Sequence, residues 1–293
     1  NSTADDPILL GNEVIYEPSA AALTIIRNNA AAGGRPQKDL LLVSDPVFSK
    51  VDARLEQTGD TDAGLISTVV SHFRVFSSLE SLSRLTASAD EAESITKVVG
   101  AAGTTAMSGF AANRESVLND AISDYRVLHF ATHGLVDEAR PELSGIVLSL
   151  FDEAGNKQTG GFIRLQDVYG MNLTADLVVL SACDTGLGQE IRGEGLISLN
   201  NAFLQAGSKS VVSSLWKVED TATKELMTEF YRGMAEENLT SSQALQRAKI
   251  KLRGDPRFRS PFYWASFTAL GSFETSPQFS RNDMGWVYIA GLL

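Results

Sequence analysis

The sequence predicts an α/β fold with a mainly parallel sheet, and two observations predict it. Apolar runs of strand length alternate with segments of helical period almost from end to end. Runs such as Val127-Leu128-His129-Phe130 and Leu177-Val178-Val179-Leu180 also read as buried strands that stop abruptly at polar residues. Expected strands are Ile8–Ile15, Asp39–Val43, Arg126–Ala131, Gly145–Leu150, Leu177–Ser181, Ser210–Leu215 and Tyr263–Ala269. Between them, the Ala92, Ile95, Val99 stripe predicts a helix over Asp90–Val99, and Asn113 is placed to cap a helix over Asn113–Ile122. A helix over Gly195–Gln205 carries Leu196, Leu199, Phe203 and Leu204 on one face and stops at Gly207. Helices over Thr221–Glu236 and Ser241–Leu252 follow, the second capped by Thr240 or Ser241. Ala30–Pro36 is a breaker, and Ser49–Gly64, without periodicity and with two glycines, reads as a mobile surface loop.

A chain of 293 residues, 43% hydrophobic and 21% charged, can bury one large core or two ordinary ones. A net charge of −11 argues against a surface that neutralises nucleic-acid phosphates and favours basic peptides over acidic ones. One cysteine permits no intramolecular disulfide and no cysteine-based zinc site, which fits a reducing compartment and gives the cytoplasm as the expected location. No run reaches the roughly 18 apolar residues of a membrane span. The apolar run Trp286–Leu293 is short for a span and is expected to pack as a terminal strand.

Two strand ends carry the chemistry. His133 and Cys183 both lie just past apolar strands, at the carboxyl edge where loops converge in open parallel sheets. A thiol of ordinary pKa is little ionised at neutral pH, so an imidazole must take its proton and later protonate a leaving amine. Gly134 lets backbone approach a substrate carbonyl, and its N–H with that of Cys183 forms a candidate oxyanion hole. A lone cysteine at a strand end is also an ordinary buried hydrophobe. His129, between Leu128 and Phe130, reads as a core histidine with a satisfied ring. With strand-like neighbours and no HExxH pattern, His129 and His133 give no metal site, and the glycines of Asp184–Gly193 fit no phosphate-binding spacing. That stretch reads instead as a mobile active-site loop.

The stretches His-Phe-Ala-Thr-His-Gly (129–134) and Val-Leu-Ser-Ala-Cys-Asp-Thr-Gly (179–186) resemble the histidine and cysteine motifs of the CHAT family, caspase-like peptidase domains often found with tetratricopeptide repeats. Gly193-Glu194-Gly195-Leu196, Ala202–Gly207, Ser210–Asp220 and Pro261–Phe267 resemble further family motifs in the same order. Weaker similarity extends upstream through Tyr16–Ser19 and Asp90–Glu93, and Asp184 stands where many relatives have glutamate. The resemblance implies a caspase-like three-layer α/β/α sandwich over 1–275, with 1–120 completing the sheet, 121–275 as catalytic core and 276–293 as a tail. It implies cysteine endopeptidase activity with Cys183 as nucleophile and His133 as acid/base, without cofactor or metal.

The same resemblance suggests that Ser214 and Trp216 line the cleft, where an extended peptide adds to a strand end, although Trp216 could equally be core packing. Asp184, Glu194, Glu219 and Asp220 are acidic groups that could hold a basic substrate side chain, with a helix cap the preferred role for Asp220. The expected partners are a specific protein substrate and a regulatory domain or partner chain, with no nucleic acid. Competing readings are a catalytically silent caspase-like interaction module and a cysteine hydrolase of small amides.

Overall fold

A computed structural model describes residues 7–16, 36–55, 82–118, 120–135, 144–158, 160–181, 194–216, 218–273 and 276–279. In chain order the elements are β1 (Ile15–Tyr16), β2 (Lys38–Ser44), α1 (Thr86–Val99), β3 (Thr104–Ser108), α2 (Arg114–Leu118), β4 (Tyr125–Ala131), β5 (Gly134–Leu135), β6 (Gly145–Val147) and β7 (Phe162–Arg164). Then come α3 (Leu165–Tyr169), β8 (Leu177–Leu180), α4 (Glu194–Gln205), β9 (Ser210–Ser214), α5 (Asp220–Glu237), α6 (Ser241–Gly254), α7 (Pro261–Trp264) and β10 (Phe267–Gly271). Among the described residues the main sheet has the order β1-β10-β9-β8-β4-β2-β3, and β5-β6-β7 form a small second sheet. From β9 to β3 neighbouring strands are parallel, whereas β10 runs antiparallel to β9.

Alternation along the central strands explains the layers. Leu40, Leu42, Val127, Leu177, Val179 and Val212 enter one core with residues of α1, α5 and α6. Leu41, Val43, Leu128, Phe130, Val178, Leu180 and Val211 enter the opposite core with Leu199, Ala202 and Phe203 of α4. Since successive strand side chains face opposite ways, an unbroken apolar run satisfies both cores at once. The architecture is the α/β arrangement that the alternating pattern predicts, with helices on both faces of a mainly parallel sheet.

Local chemistry sets the ends. The Asn113 side chain accepts from Ser116 N at 2.9 Å, so Asn113 caps α2 as expected, although the regular α-helix stops at Leu118 and a 3-10 segment spans Asp120–Asp124. Thr240 caps α6 by accepting from Gln243 N at 3.3 Å. Past α4, Gly207 has φ +113°, and a Cβ there would sit 2.3 Å from the Leu173 carbonyl oxygen, so only glycine fits the stop.

Three expectations change. Ile8–Ile15 is not one strand: Pro7 leads into a 3-10 turn at Ile8–Leu10, Gly11 ends it, and only Ile15–Tyr16 pairs, with β10. Tyr263–Ala269 begins as a helix, because Ser260 caps it and Pro261 suits its first turn, so β10 starts at Phe267. Gly145–Leu150 is regular strand only over Gly145–Val147, in the small sheet, and β3, Thr-Thr-Ala-Met-Ser, half-buried or exposed along its length, is a strand that the apolar pattern does not predict. Within Ser49–Gly64, residues 50–55 are tied down, with Arg54 bonded to Asp52 at 2.6 Å and Asp45 at 2.9 Å, and 56–64 lie outside the described residues. The run 286–293 also lies outside them.

On the outer layer, Glu229 of α5 is nearly buried and meets Lys251 at 2.6 Å, Arg247 at 3.3 Å and Arg232. Burial by itself raises its pKa, but the hydrogen bond from Lys251 and the charges of Arg232, Lys251 and Arg247 outweigh burial and hold the carboxyl below its ordinary range. A folded pKa below the unfolded value of about 4.3 stabilises the fold above that pH, and the contribution is lost as pH falls through the folded value. Glu229→Gln is therefore expected to cost about 1 kcal/mol near neutrality, with the gap to wild type closing in acid below about pH 4. Urea unfolding across that range checks it, and a gap independent of pH would contradict the ion-pair account.

Candidate active site

The site is built from β4 and β8, parallel neighbours. Phe130 of β4 stands opposite Leu180 of β8, and Ser181 N donates to the Phe130 carbonyl at 3.1 Å, so the two chains leave the sheet level with each other. His133 lies three residues past Phe130 on one chain, as Cys183 lies three past Leu180 on the other. Cys183, Asp184 and the rest of the 184–193 loop are outside the described residues.

His133 is 1% exposed and held on several sides. Its Nε2 is 2.9 Å from the Ser83 carbonyl oxygen. A carbonyl only accepts, so Nε2 carries the hydrogen and, in the neutral ring, Nδ1 carries the lone pair. The Phe48 ring lies 4.9 Å from the imidazole, tilted by 52°. Backbone fixes the residue too: Val147 N donates to the His133 carbonyl at 2.9 Å, and Thr132 Oγ1 donates to the Val147 carbonyl at 2.6 Å.

Gly134 follows in β5, an edge strand of the small sheet among the described residues. It stands opposite Ile146, while the bond from Val147 N to the His133 carbonyl makes the adjacent pair the hydrogen-bonded one. In an antiparallel ladder such pairs alternate. Hence the Gly134 N–H faces away from β6.

The family model described as "CHAT domain" matches residues 2–272. The chain belongs to the CHAT family. Curated relatives are tetratricopeptide repeat protein 28 of Mus musculus, 29% identical over 197 residues, and of Homo sapiens, 34% identical over 106 residues. These alignments cover 56% and 36% of the chain but 8% and 4% of the relatives, so the chain spans under a tenth of either. Among solved structures, the Arg-specific cysteine proteinase gingipain R matches with TM-score 0.51 and 11% identity, over 89% of this chain and 54% of that one. Separase in the Saccharomyces cerevisiae separase–securin complex aligns with TM-score 0.43 and 12% identity over 87% of this chain and 14% of that one. The gingipain match shows the fold: the CHAT domain is a caspase-like α/β domain.

The other sequence-expected residues of the CHAT domain are distributed as follows. Ser214 is buried at the end of β9, its hydroxyl donating to the Trp216 carbonyl at 2.5 Å. Trp216 is half-buried against the core on the α5 and α6 face, its indole N–H donating to the Phe262 carbonyl at 3.0 Å. Asp220 is exposed and is the first residue of α5; the cap position falls one earlier, on Glu219, which makes no side-chain cap bond. An acid in that first turn still faces the positive end of the helix dipole.

His129 is the core histidine that its sequence setting suggests. Its Nε2 lies 3.0 Å from both Glu91 Oε1 and Ser181 Oγ, and its Nδ1 lies 2.9 Å from Tyr231 Oη. With the carboxylate accepting from Nε2–H, Nδ1 accepts the Tyr231 hydroxyl proton. Burial, and secondly the Glu91 charge, push the Tyr231 pKa well above its ordinary value, which keeps the phenol a donor. Among the described residues no group of three or more His, Cys, Asp and Glu could hold a metal ion.

Sequence reasoning missed Ser83, Glu91 and Tyr231. Ser83 acts through its backbone and leaves no side-chain signature. Glu91 had a signal: it falls on the buried face of α1 beside Ser88, Ala92, Ile95 and Val99, where an acid needs a buried partner. The network joins α1, β4, α5 and the end of β8, so His129→Phe, which leaves a buried carboxylate without its donor, is expected to cost about 3 kcal/mol. Chemical denaturation measures it, and a loss under about 0.5 kcal/mol would show that the network carries no stability.

Proposed function

We propose that this CHAT domain is a cysteine endopeptidase that cuts a specific protein partner through Cys183 and His133. The observation that carries the reading is His133 itself: a buried imidazole at the carboxyl end of β4, its Nε2 committed to the Ser83 carbonyl, beside the strand that leads into the chain's only cysteine. A structural histidine would need no such setting at the edge where catalytic groups gather.

The chemistry follows from the tautomer. Nδ1 takes the Cys183 thiol proton, and the thiolate sulfur attacks the scissile carbonyl carbon. The Gly134 and Cys183 N–H groups receive the resulting oxyanion. As the C–N bond breaks, protonated Nδ1 returns its proton to the leaving amine, giving an acyl-thioester. Water, deprotonated by Nδ1, then attacks the thioester carbonyl, and the product acid and the thiol are released.

An extended substrate would run beside the chain leaving β9 at Ser214, with the half-buried Trp216 as an apolar wall. Asp184 and Asp220 are the proposed acidic contacts, and the net charge of −11 favours a basic segment. Regulation by a further domain or partner chain fits a domain matching so small a part of its curated relatives.

Because Cys183 is the only cysteine, labelling reads the site directly. A peptidyl chloromethyl ketone is expected to alkylate Cys183 in the wild type and to react on the order of 100-fold more slowly with His133→Ala, while circular dichroism stays unchanged. Cys183→Ala and His133→Ala are each expected to abolish cleavage of the partner protein. Equal alkylation rates in wild type and His133→Ala would sink the peptidase reading in favour of a silent interaction module.

A further inference from the structure

Ser83 sits in a segment without regular structure, yet its carbonyl decides which nitrogen of His133 bears the hydrogen. Something must hold that carbonyl still. The next residue, Arg84, places its guanidinium fork on the Asp45 carboxylate, Nε to Oδ1 at 2.9 Å and Nη2 to Oδ2 at 2.6 Å. Such two-point pairing fixes orientation as well as distance.

Asp45 is itself fixed. It follows β2, is 3% exposed, and adopts φ +44°, a left-handed backbone that a residue other than glycine adopts at a cost. That conformation is held from several directions. Asp45 N donates to Ser88 Oγ at 2.9 Å, and Ser88 Oγ donates to the Leu85 carbonyl at 2.7 Å. Arg54 Nη1 reaches the Asp45 carboxylate at 2.9 Å and its carbonyl at 2.8 Å, while Gly109 N donates to the same carbonyl at 3.2 Å. Arg54 also bonds Asp52 at 2.6 Å, whose carboxyl the Arg54 hydrogen bond holds below its ordinary range against the effect of burial. Leu82 and Leu85, on either side of Ser83 and Arg84, pack against the cluster that contains Phe48. Phe48 in turn lies against the His133 ring, three residues after Asp45.

We propose that Asp45 and Arg84 are positioning residues for His133: their ion pair pins the Ser83 carbonyl, which sets the tautomer and aim of the imidazole. Neither group touches substrate. The role in catalysis rests on the dyad reading above, whereas the effect on the tautomer does not. Residues 82–85, which hold the carbonyl, form no helix or strand, and the strained turn at Asp45 persists because five hydrogen-bonding groups, from Ser88, Arg54, Arg84 and Gly109, converge on it.

The test uses the full chain labelled with 15N-histidine, whose three histidines are His72, His129 and His133. The His133 signals, assigned by their loss in His133→Ala, are expected to report the Nε2–H tautomer in wild type. Arg84→Gln, at a side chain 40% exposed and so able to change without unfolding the core, is expected to shift them to a tautomer mixture. Cys183 alkylation by the peptidyl chloromethyl ketone should fall about tenfold in the same variant, and Arg84→Lys should restore part of both. Asp45→Asn, which keeps a residue tolerant of left-handed backbone, should act like Arg84→Gln. Unchanged His133 signals in Arg84→Gln, even with a lowered melting temperature, would overturn the clamp. Equal alkylation of wild type and His133→Ala would instead remove the dyad, while the nitrogen signals would still decide the tautomer claim.

Discussion

The parallel pairing of β4 with β8 is the constraint from which the rest of the molecule follows. It sets Val127 to Phe130 against Leu177 to Leu180, residue for residue, and so delivers the chains ending in His133 and leading to Cys183 to one edge at one level. Parallel strands cannot be joined by a tight turn, which is why β5, β6, β7 and α3 lie between them in sequence. The intervening small sheet then becomes useful. It grips the backbone of His133 and turns the Gly134 N–H away from β6.

That pairing is held by burial on both faces. Val127, Leu128, Phe130, Leu177, Val178, Val179 and Leu180 are all at most 2% exposed, and each such side chain contributes about 1.5–3 kcal/mol on leaving water. His129, removed from water in the middle of β4, is surrounded by Glu91, Tyr231 and Ser181, which form a polar seam within the sheet. His133 stands beyond the end of the same strand, with its Nε2 on the Ser83 carbonyl and the Phe48 ring against it. Two histidines four residues apart thus take different parts because one lies within the sheet and the other beyond its end.

Much of the frame was legible in the sequence, and the reason is burial. Strands β2, β4 and β8 have both faces covered, so runs such as Leu40–Val43 and Leu177–Leu180 mark them, and α5 and α6 announce themselves by period and cap. The edge strand β3 did not, since Thr104 to Ser108 pairs on one side and is half-exposed on both faces. Pro261 and Ser260 carried a helix-start signal inside what looked like strand. For the candidate site, strand ends and the family motifs pointed to His133, Cys183 and Gly134, of which Cys183 lies outside the described residues. Ser83 could not be read, because a backbone carbonyl is present at every residue. Nor could the Asp45–Arg84 pair, whose members lie 39 residues apart with no periodic relation. Only the fold brings them together.

The central claim is that a thiol from the β8 chain works against the Nδ1 side of His133, with Gly134 receiving the oxyanion. A crystal structure of the chain covalently modified at Cys183 by a peptidyl chloromethyl ketone tests it most directly. The account predicts the ketone oxygen of the thioether adduct about 3 Å from Gly134 N, Nδ1 turned toward the sulfur, and the Nε2 bond to Ser83 intact. An adduct directed away from Gly134, or one with Nε2 at the sulfur and the Ser83 bond broken, would contradict it.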